Sequence, residues 1–136
     1  MGKFIASKFP DIQVIYSSSA TRALDFAASI HKYSKTPLVV DEALYTFHVR
    51  RLIRFVLNLS QEYQSVALVA HNPALTEAIN LLAQLEPEKK IVNLPTAAVA
   101  KLEFNVEAWS QIKPHDGQVV DFAKPKALDS FEDDLD

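Results

Sequence analysis

The segment Val66-Ala67-Leu68-Val69-Ala70-His71-Asn72-Pro73 decides the fold, because it places a strand, a polar turn and a helix start next to one another. Five apolar residues in a row are typical of a β-strand that is covered on both faces, as in a parallel sheet. Asn72 is a favoured N-cap and Pro73 a favoured first helical residue, so a helix is predicted to begin directly after His71. His71 is thereby held at the carboxyl end of the strand.

The same alternation of strand and helix extends in both directions along the chain. The β-rich runs are 13–16, 38–40, 66–70, 99–104 and 118–122, and the helical patterns are 20–33, 47–63 and 73–85. Strands that alternate with helices of this length indicate βαβ units. The runs 99–104, 109–112 and 118–122 have short links, which favour an antiparallel edge. We predict an α/β three-layer sandwich with a mostly parallel sheet and helices on both faces.

Composition excludes several function classes. The chain has 136 residues, no Cys and two Gly. Without cysteine, disulfide scaffolds, Cys-ligated zinc and thiol nucleophiles are excluded, and two glycines are too few for a Rossmann or P-loop fingerprint. The histidines lack the spacing of metal ligands, so neither a metal nor another cofactor is expected.

The acidic side chains are concentrated at the end of the chain. Of 17 Asp and Glu residues, against 14 Lys and Arg, five lie in 129–136. We predict an α/β domain over 1–126 and a disordered acidic tail over 127–136. There is no clustered basic stripe, so nucleic acid is not an expected partner. No apolar run approaches about 20 residues and no signal peptide is recognisable, so we expect a cytoplasmic protein without membrane contact.

A second junction between strand and helix reads Tyr16-Ser17-Ser18-Ser19-Ala20-Thr21-Arg22-Ala23. Arg22 lies in the first turn of the predicted helix, where a positive charge opposes the helix dipole. A bound anion would compensate, because the helix N–H groups and the guanidinium would point at it. An ion pair between Arg22 and a nearby carboxylate is the alternative, and His71 has its own alternative, a hydrogen bond to a loop carbonyl. Ligands of open α/β sheets sit at such strand ends.

Three segments of the chain resemble the histidine phosphatase superfamily, in particular its small SixA-type phosphohistidine phosphatases. They are similar to the motifs Ser-Ser-Pro-Ala-x-Arg-Ala, Leu-Val-Gly-His-Asn-Pro-x-Leu and Leu-Pro-Thr-Gly-Ala-Val-Ala, and they lie at 17–23, 68–75 and 94–100. This chain has Ser19 at the proline and Ala70 and Ala97 at the two glycines. The pair Leu44-Tyr45 falls where that group has Leu-Tyr. The resemblance extends from Met1 to Pro125.

The resemblance implies a phosphoglycerate mutase-like fold and the hydrolysis of phosphomonoesters or phosphoramidates through a phosphohistidine intermediate. It gives Arg22 the role of phosphate clamp and makes His71 a donor to the phosphoryl oxygens, so both are the expected catalytic residues. Ser18 and Asn72 are expected to complete the phosphate-binding site. Thr96 either contacts this site or is a turn hydroxyl. The expected partner is phosphate or a phosphorylated substrate, such as a protein that carries phosphohistidine.

The family's attacking histidine follows an arginine at the end of the first strand, and this sequence has no Arg-His dipeptide. Residues 1–6 resemble a helix that follows that strand in the family. We therefore expect that the first central strand lies upstream of the given chain, or that a second copy fills its place in a homodimer. The alternative is an inactive phosphate-binding or interaction module. Asp41 and Glu42 do not clearly match a general acid, which a nitrogen leaving group needs less.

Replacement of Arg22 by Ala tests the expected clamp. A charge-assisted hydrogen bond contributes about 1.5–3 kcal/mol, so Arg22→Ala should weaken the binding of phosphate or vanadate by that amount. Titration calorimetry of the variant and the parent protein measures the difference. An unchanged affinity would remove Arg22 from the phosphate site.

Overall fold

A computed structural model describes residues 2–124. This part of the chain contains four α-helices and five strands, in the order α1 (Gly2–Lys8), β1 (Val14–Ser17), α2 (Thr21–Ser34), β2 (Leu38–Val40), α3 (Val49–Leu57), β3 (Val66–Val69), α4 (Ala74–Leu82), β4 (Val99–Glu103) and β5 (Gln118–Ala123). Short 3-10 turns lie at Glu42–Leu44, Pro87–Lys89 and Trp109–Gln111. The predicted tail, 127–136, falls outside the described residues. No helix within 2–124 is long and apolar enough to cross a lipid bilayer.

The strands form a parallel sheet and an antiparallel pair, which confirms the predicted fold class. β1 lies between β2 and β3 and is parallel to both. β4 and β5 are antiparallel, with an irregularity in register between Lys101 and Leu102. The alternation of strand and helix in the sequence therefore does produce parallel βαβ units, and the short links near the end of the chain produce the antiparallel edge.

β3 separates two apolar cores, as its uninterrupted apolar sequence requires. Ala67 and Val69 pack against a core that α1 and α2 form with β1, made of Ile5, Phe9, Ile15, Ala27 and Ile30. Leu68 and Ala70 pack on the other side, against Leu44, Leu52, Ala74 and Ala78 from the Glu42–Leu44 turn, α3 and α4. Successive side chains of a strand point to opposite faces, so both faces of the sheet are covered by helices.

The antiparallel pair is attached to the rest of the molecule at several points. Lys8 of α1 forms a 3.3 Å ion pair with Asp121 of β5. Gly117, directly before β5, donates its N–H to the carbonyl of Leu82 and accepts the N–H of Gln84, both at 2.7 Å. Val99 of β4 packs on the α1/α2 core. These contacts hold β4 and β5 against α1 and the end of α4.

β3 and β4 each have an unpaired edge within residues 2–124. β3 pairs with β1 alone and β4 with β5 alone, so the described strands form two separate sheets. All four residues of β3 are apolar yet only partly buried. Val69 of β3 and Val99 of β4 pack on the same α1/α2 core. Both strands with these unpaired edges therefore contact the same core.

Two predicted elements differ from the structure. The helix predicted over 47–63 is wrong in length, since α3 covers Val49–Leu57. The side-chain amide of Asn58 donates to the carbonyl of Arg54 at 2.8 Å and thereby provides a partner for a carbonyl at the end of the helix. The apolar periodicity does not reveal this end. The run 109–112 is not a strand, because Trp109–Gln111 forms a 3-10 turn. There the Trp109 indole donates to the carbonyl of Tyr63 at 2.9 Å.

The turn before β4 places an alanine in the left-handed region. The N–H of Ala98 donates to the carbonyl of Pro95 at 3.0 Å, and Ala97, the third residue of this turn, has a φ of 61°. Type II turns require a positive φ at their third position and favour glycine there. The motif that this segment resembles has glycine at that position.

Ala97→Gly should therefore stabilise the protein by about 0.5–1 kcal/mol. The left-handed conformation costs an L-residue about 1–2 kcal/mol, which exceeds the entropic cost of glycine of about 0.5–1 kcal/mol. Ala98→Gly is the matched control, since Ala98 has a negative φ and its replacement should be destabilising. Urea denaturation measures both, and a loss of stability in Ala97→Gly would contradict the expectation.

Candidate functional site

The carboxyl ends of β1 and β3 lie side by side and bring the two polar junctions together. Ser17 is paired with Val69, and the N–H of Ser18 donates to the carbonyl of Val69 at 2.9 Å. Beyond this pair, a hydrogen bond of 2.8 Å joins His71 Nε2 to Ser18 Oγ. Two residues that are 53 positions apart in the sequence thus meet at the strand ends, where α/β sheets bind ligands.

Ser18 fixes the position of the His71 ring. It is fully buried, and its Oγ accepts the N–H of Ala20 at 3.2 Å, directly before α2. The hydroxyl has one proton and two lone pairs, so it either donates to His71 Nε2 or accepts from it, according to the imidazole tautomer. Within residues 2–124, His71 Nδ1 has no hydrogen-bond partner. A serine next to a histidine also resembles a nucleophile and its base, but Ser18 is completely buried. Phosphate contact by Ser18 stays a prediction.

Two aromatic rings lie against His71. The ring centroids of Tyr45 and Phe47 are 5.3 and 5.6 Å from that of the imidazole. Both aromatic residues are about half exposed, at 52% and 55%. They come from the segment between the Glu42–Leu44 turn and α3. Tyr45 was noted in the sequence only as part of the Leu-Tyr pair, and nothing in the sequence placed Phe47 beside His71.

Asn72 links the start of α4 to the segment before β4. Its Oδ1 accepts both the N–H and the hydroxyl of Thr76, at 3.1 and 2.8 Å, and its Nδ2 donates to the carbonyl of Leu94 at 2.9 Å. Thr76 Oγ1 in turn accepts the N–H of Leu94 at 2.8 Å. The helix begins at Ala74, one residue later than predicted. Phosphate contact by Asn72 stays a prediction, and Thr76 is a structural partner that the sequence did not reveal.

Arg22 lies in the first turn of α2 with its side chain exposed. That turn contains no acidic residue, and Ala20 at the N-cap has no side chain that can accept a helix N–H. Arg22 forms no ion pair with a carboxylate of residues 2–124, and no hydrogen bond to Ser18 or His71 either. The positive end of the helix and the guanidinium are therefore uncompensated by these residues.

The remaining histidines and Thr96 lie apart from this hydrogen-bond network. His31 and His115 donate from Nδ1 to the carbonyls of Thr36 and Ala83. His48 is exposed directly before α3. Thr96 is exposed in the turn before β4 and was predicted as either a site residue or a turn hydroxyl.

The shifted pKa values resolved in the described residues concern surface groups. The negative charge of Glu62 raises the pKa of Tyr63, and a hydrogen bond with Glu86 lowers the pKa of Glu88. Neither pair is bonded to Ser18 or His71.

Three solved structures with a similar architecture are all described as SixA. A protein provisionally assigned as the phosphohistidine phosphatase SixA of Nakamurella multipartitia superposes with a TM-score of 0.77 at 17% identity, over 93% of this chain and 78% of that one. Its counterpart from Agrobacterium tumefaciens superposes with a TM-score of 0.71 at 19% identity, over 92% of this chain and 75% of that one. The protein histidine phosphatase SixA complexed with tungstate superposes with a TM-score of 0.71 at 18% identity, over 93% of this chain and 78% of that one. The chain has the SixA fold.

The likeness is one of structure. No protein-family model and no curated protein matches the sequence. Within the SixA fold, the three segments that resemble the family's motifs are connected by hydrogen bonds. The Ser18–His71 bond joins the first segment to the second, and the Asn72–Leu94 bond joins the second to the third. Segments that are far apart in the sequence are thus joined in one hydrogen-bonded network.

Ser18→Ala should release the His71 ring without unfolding the domain. Loss of the Ser18 hydroxyl removes the partner of Nε2, so the orientation of the His71 ring and its balance of tautomers should change. Nitrogen-15 NMR of the imidazole measures the tautomer. Ser17→Ala is the matched control, because Ser17 is equally buried but its Oγ donates to the Ser18 carbonyl and not to the ring. Identical His71 spectra in the two variants would contradict the role of Ser18.

Proposed function

We propose that the site at the ends of β1 and β3 binds a phosphoryl group and that the protein is a phosphatase for phosphohistidine or related phosphoramidates. The observation that carries the proposal is the Ser18–His71 hydrogen bond of 2.8 Å at the start of α2. It places an imidazole next to a helix N-terminus, and both are suited to an anion. The three family-like segments that meet here support phosphate as that anion.

The site residues then take separate roles. Ser18 donates to Nε2 of His71, so Nδ1 carries the ring proton and donates to a phosphoryl oxygen. Arg22, exposed in the same helix turn, reaches the phosphoryl group as a second donor. Asn72 holds the segment at Leu94 in place and contributes its second amide proton to the site. Phosphoryl transfer depends mainly on such positioning and on charge stabilisation.

A histidine outside the described site supplies the nucleophile in this proposal. It attacks phosphorus while the bond to the substrate nitrogen breaks and that nitrogen leaves with its proton. Water then attacks the phosphohistidine and releases phosphate. In the described chain, β3 and β4 have unpaired edges and contact the same core, so an additional strand that paired with β3 would lie near His71, which lies two residues after the end of β3. We propose that such a strand, from upstream sequence or from a second copy, carries the histidine.

A carboxylate is not needed as general acid for this substrate class. The Asp41 N–H donates to the Ser17 carbonyl at 2.9 Å, which places it near the end of β1, but its Oδ1 accepts the N–H of Ala43. Asp41 therefore caps the Glu42–Leu44 turn. A protonated nitrogen leaving group departs without a separate acid, which fits a phosphoramidate better than a phosphate ester.

The second candidate is a module that binds phosphoryl groups without hydrolysing them. It is favoured by the fact that, among the histidines of residues 2–124, His71 is the one that contacts Ser18. Both candidates require anion binding, and they differ in turnover. The two candidates can be distinguished by trapping the phosphohistidine intermediate, because phosphohistidine is stable in alkali.

Tungstate is the probe for the shared property, since it is bound by a SixA of the same fold. His71→Gln should weaken tungstate binding about 10-fold or more, the equivalent of about 1.5–3 kcal/mol for a hydrogen bond to a charged group. His31→Gln, in an exposed position on α2, is the matched control and should leave the affinity unchanged. Titration calorimetry measures both. Equal tungstate affinities in the two variants would show that His71 does not contribute to a phosphate site.

Turnover is then measured with phosphoramidate as substrate, on the protein with any sequence upstream of residue 1 included, because the proposed nucleophile lies outside the described site. Phosphate release together with phosphorus-labelled histidine after an alkaline quench marks the phosphatase. Tungstate binding without either product marks the module.

A further inference from the structure

A second group of positive charges lies next to the proposed phosphate site. A cavity of about 520 Å³ is lined by Phe47 and by the arginines Arg50, Arg51 and Arg54 of α3, with Glu77 as its one lining carboxylate. We call it the arginine pocket. All three arginines are exposed.

The charges of the arginine pocket are not neutralised within residues 2–124. None of the three arginines forms an ion pair with a carboxylate of the described chain, and the exposed Glu77 forms none either. The first turn of α3 contains no acidic residue, and Arg50 and Arg51 lie in it. The helix dipole is positive at that end, so these cations destabilise α3 unless an anion is bound. The arrangement is the same as that of Arg22 at the start of α2.

Phe47 connects the arginine pocket to the phosphate site. Its ring lines the pocket and lies 5.6 Å from the imidazole of His71, measured between centroids. Tyr45 lies beside both Phe47 and His71. A ligand whose phosphoryl group is at His71 can therefore extend over the exposed aromatic rings into the pocket.

The composition of this surface points to a protein as the ligand. Tyr and Arg are among the residue types that dominate the binding energy of protein interfaces, and aromatic residues as a class are enriched there. Two half-exposed aromatic rings and three arginines within ten residues of sequence form such a surface. Its positive charge is complementary to Asp and Glu side chains.

We propose that the arginine pocket binds an acidic segment of a phosphorylated protein substrate whose phosphoryl group lies at His71. The inference rests on the proposed function, because it names the substrate class for that same site. Recognition of the substrate is divided between two anion sites. The phosphoryl group is held at the ends of β1 and β3, and carboxylates near it in the substrate are held by α3.

A fluorescein-labelled decapeptide of Glu, Asp and Ser tests the pocket by fluorescence anisotropy at low salt. The parent protein should bind it, and 150 mM salt should weaken the binding because the charges are exposed. Replacement of the three arginines by Gln should weaken it about 10-fold or more, because three ion pairs with the peptide are lost together. The matched control replaces three exposed lysines by Gln and should stay within about twofold; its substitutions are Lys3→Gln, Lys32→Gln and Lys113→Gln.

Competitors determine the class of the ligand. An oligouridine of ten nucleotides that binds more tightly than the acidic peptide, or citrate that displaces the peptide at equal carboxylate concentration, would overturn the assignment to a protein segment. Equal peptide affinities in the arginine and lysine variants would also overturn it. Circular dichroism of both variants establishes that they are folded, and the single variant Arg51→Gln repeats the test with a smaller change in charge.

Tungstate titration of the same proteins separates this inference from the proposed function. The arginine variant should keep its tungstate affinity, whereas His71→Gln should bind tungstate more weakly and still bind the acidic peptide. If tungstate fails to bind any variant while peptide binding still depends on the arginines, the proposed phosphate site is wrong and the charge recognition by α3 stands. If tungstate binds and the peptide does not, only the arginine pocket is overturned.

Discussion

The parallel pairing of β1 with β3 is the contact on which the site depends. It aligns the two strand ends so that Ser18 and His71 follow paired residues and form a hydrogen bond of 2.8 Å. The pairing is stabilised by burial on both faces, because β3 contributes alternate side chains to the α1/α2 core and to the α3/α4 core. A change that shifted this register by one residue would exchange the two faces and separate the histidine from its partner.

Positive charge at helix starts is the second common feature. Arg22 in α2 and Arg50 and Arg51 in α3 all oppose the dipole of their own helix, without an acidic residue in either first turn. Each of them stabilises its helix only when an anion is near. These cations are therefore the basis of the anion binding that we propose. The aromatic rings of Tyr45 and Phe47 lie between the two groups of charges, beside His71.

The division of the sheet connects the fold to the proposed chemistry. Within residues 2–124, β3 and β4 each have one unpaired edge, and both strands contact the α1/α2 core. Exposed inner edges present unpaired N–H and C=O groups, which native proteins ordinarily cover. The proposed additional strand would satisfy these groups. It would also place the nucleophile beside the one histidine that the described strands bring into the site, so the same pairing would complete the sheet and the chemistry.

The amino-acid sequence by itself determined the fold class, both strand-to-helix junctions and the identity of Ser18, Arg22 and His71 as site candidates. These features are local: an apolar run covered on both faces, a helix start predicted within one residue of its position at Ala74, and short motifs at fixed spacing. Apolar periodicity did not predict the end of α3, where the Asn58 side chain donates to the Arg54 carbonyl. It also did not predict the 3-10 turn at Trp109, whose indole donates to the Tyr63 carbonyl. Only the tertiary structure placed Tyr45 and Phe47 against His71, joined Asn72 to Leu94 and left the α3 arginines without described partners. Those contacts connect residues far apart in sequence, and no local pattern specifies which of them meet.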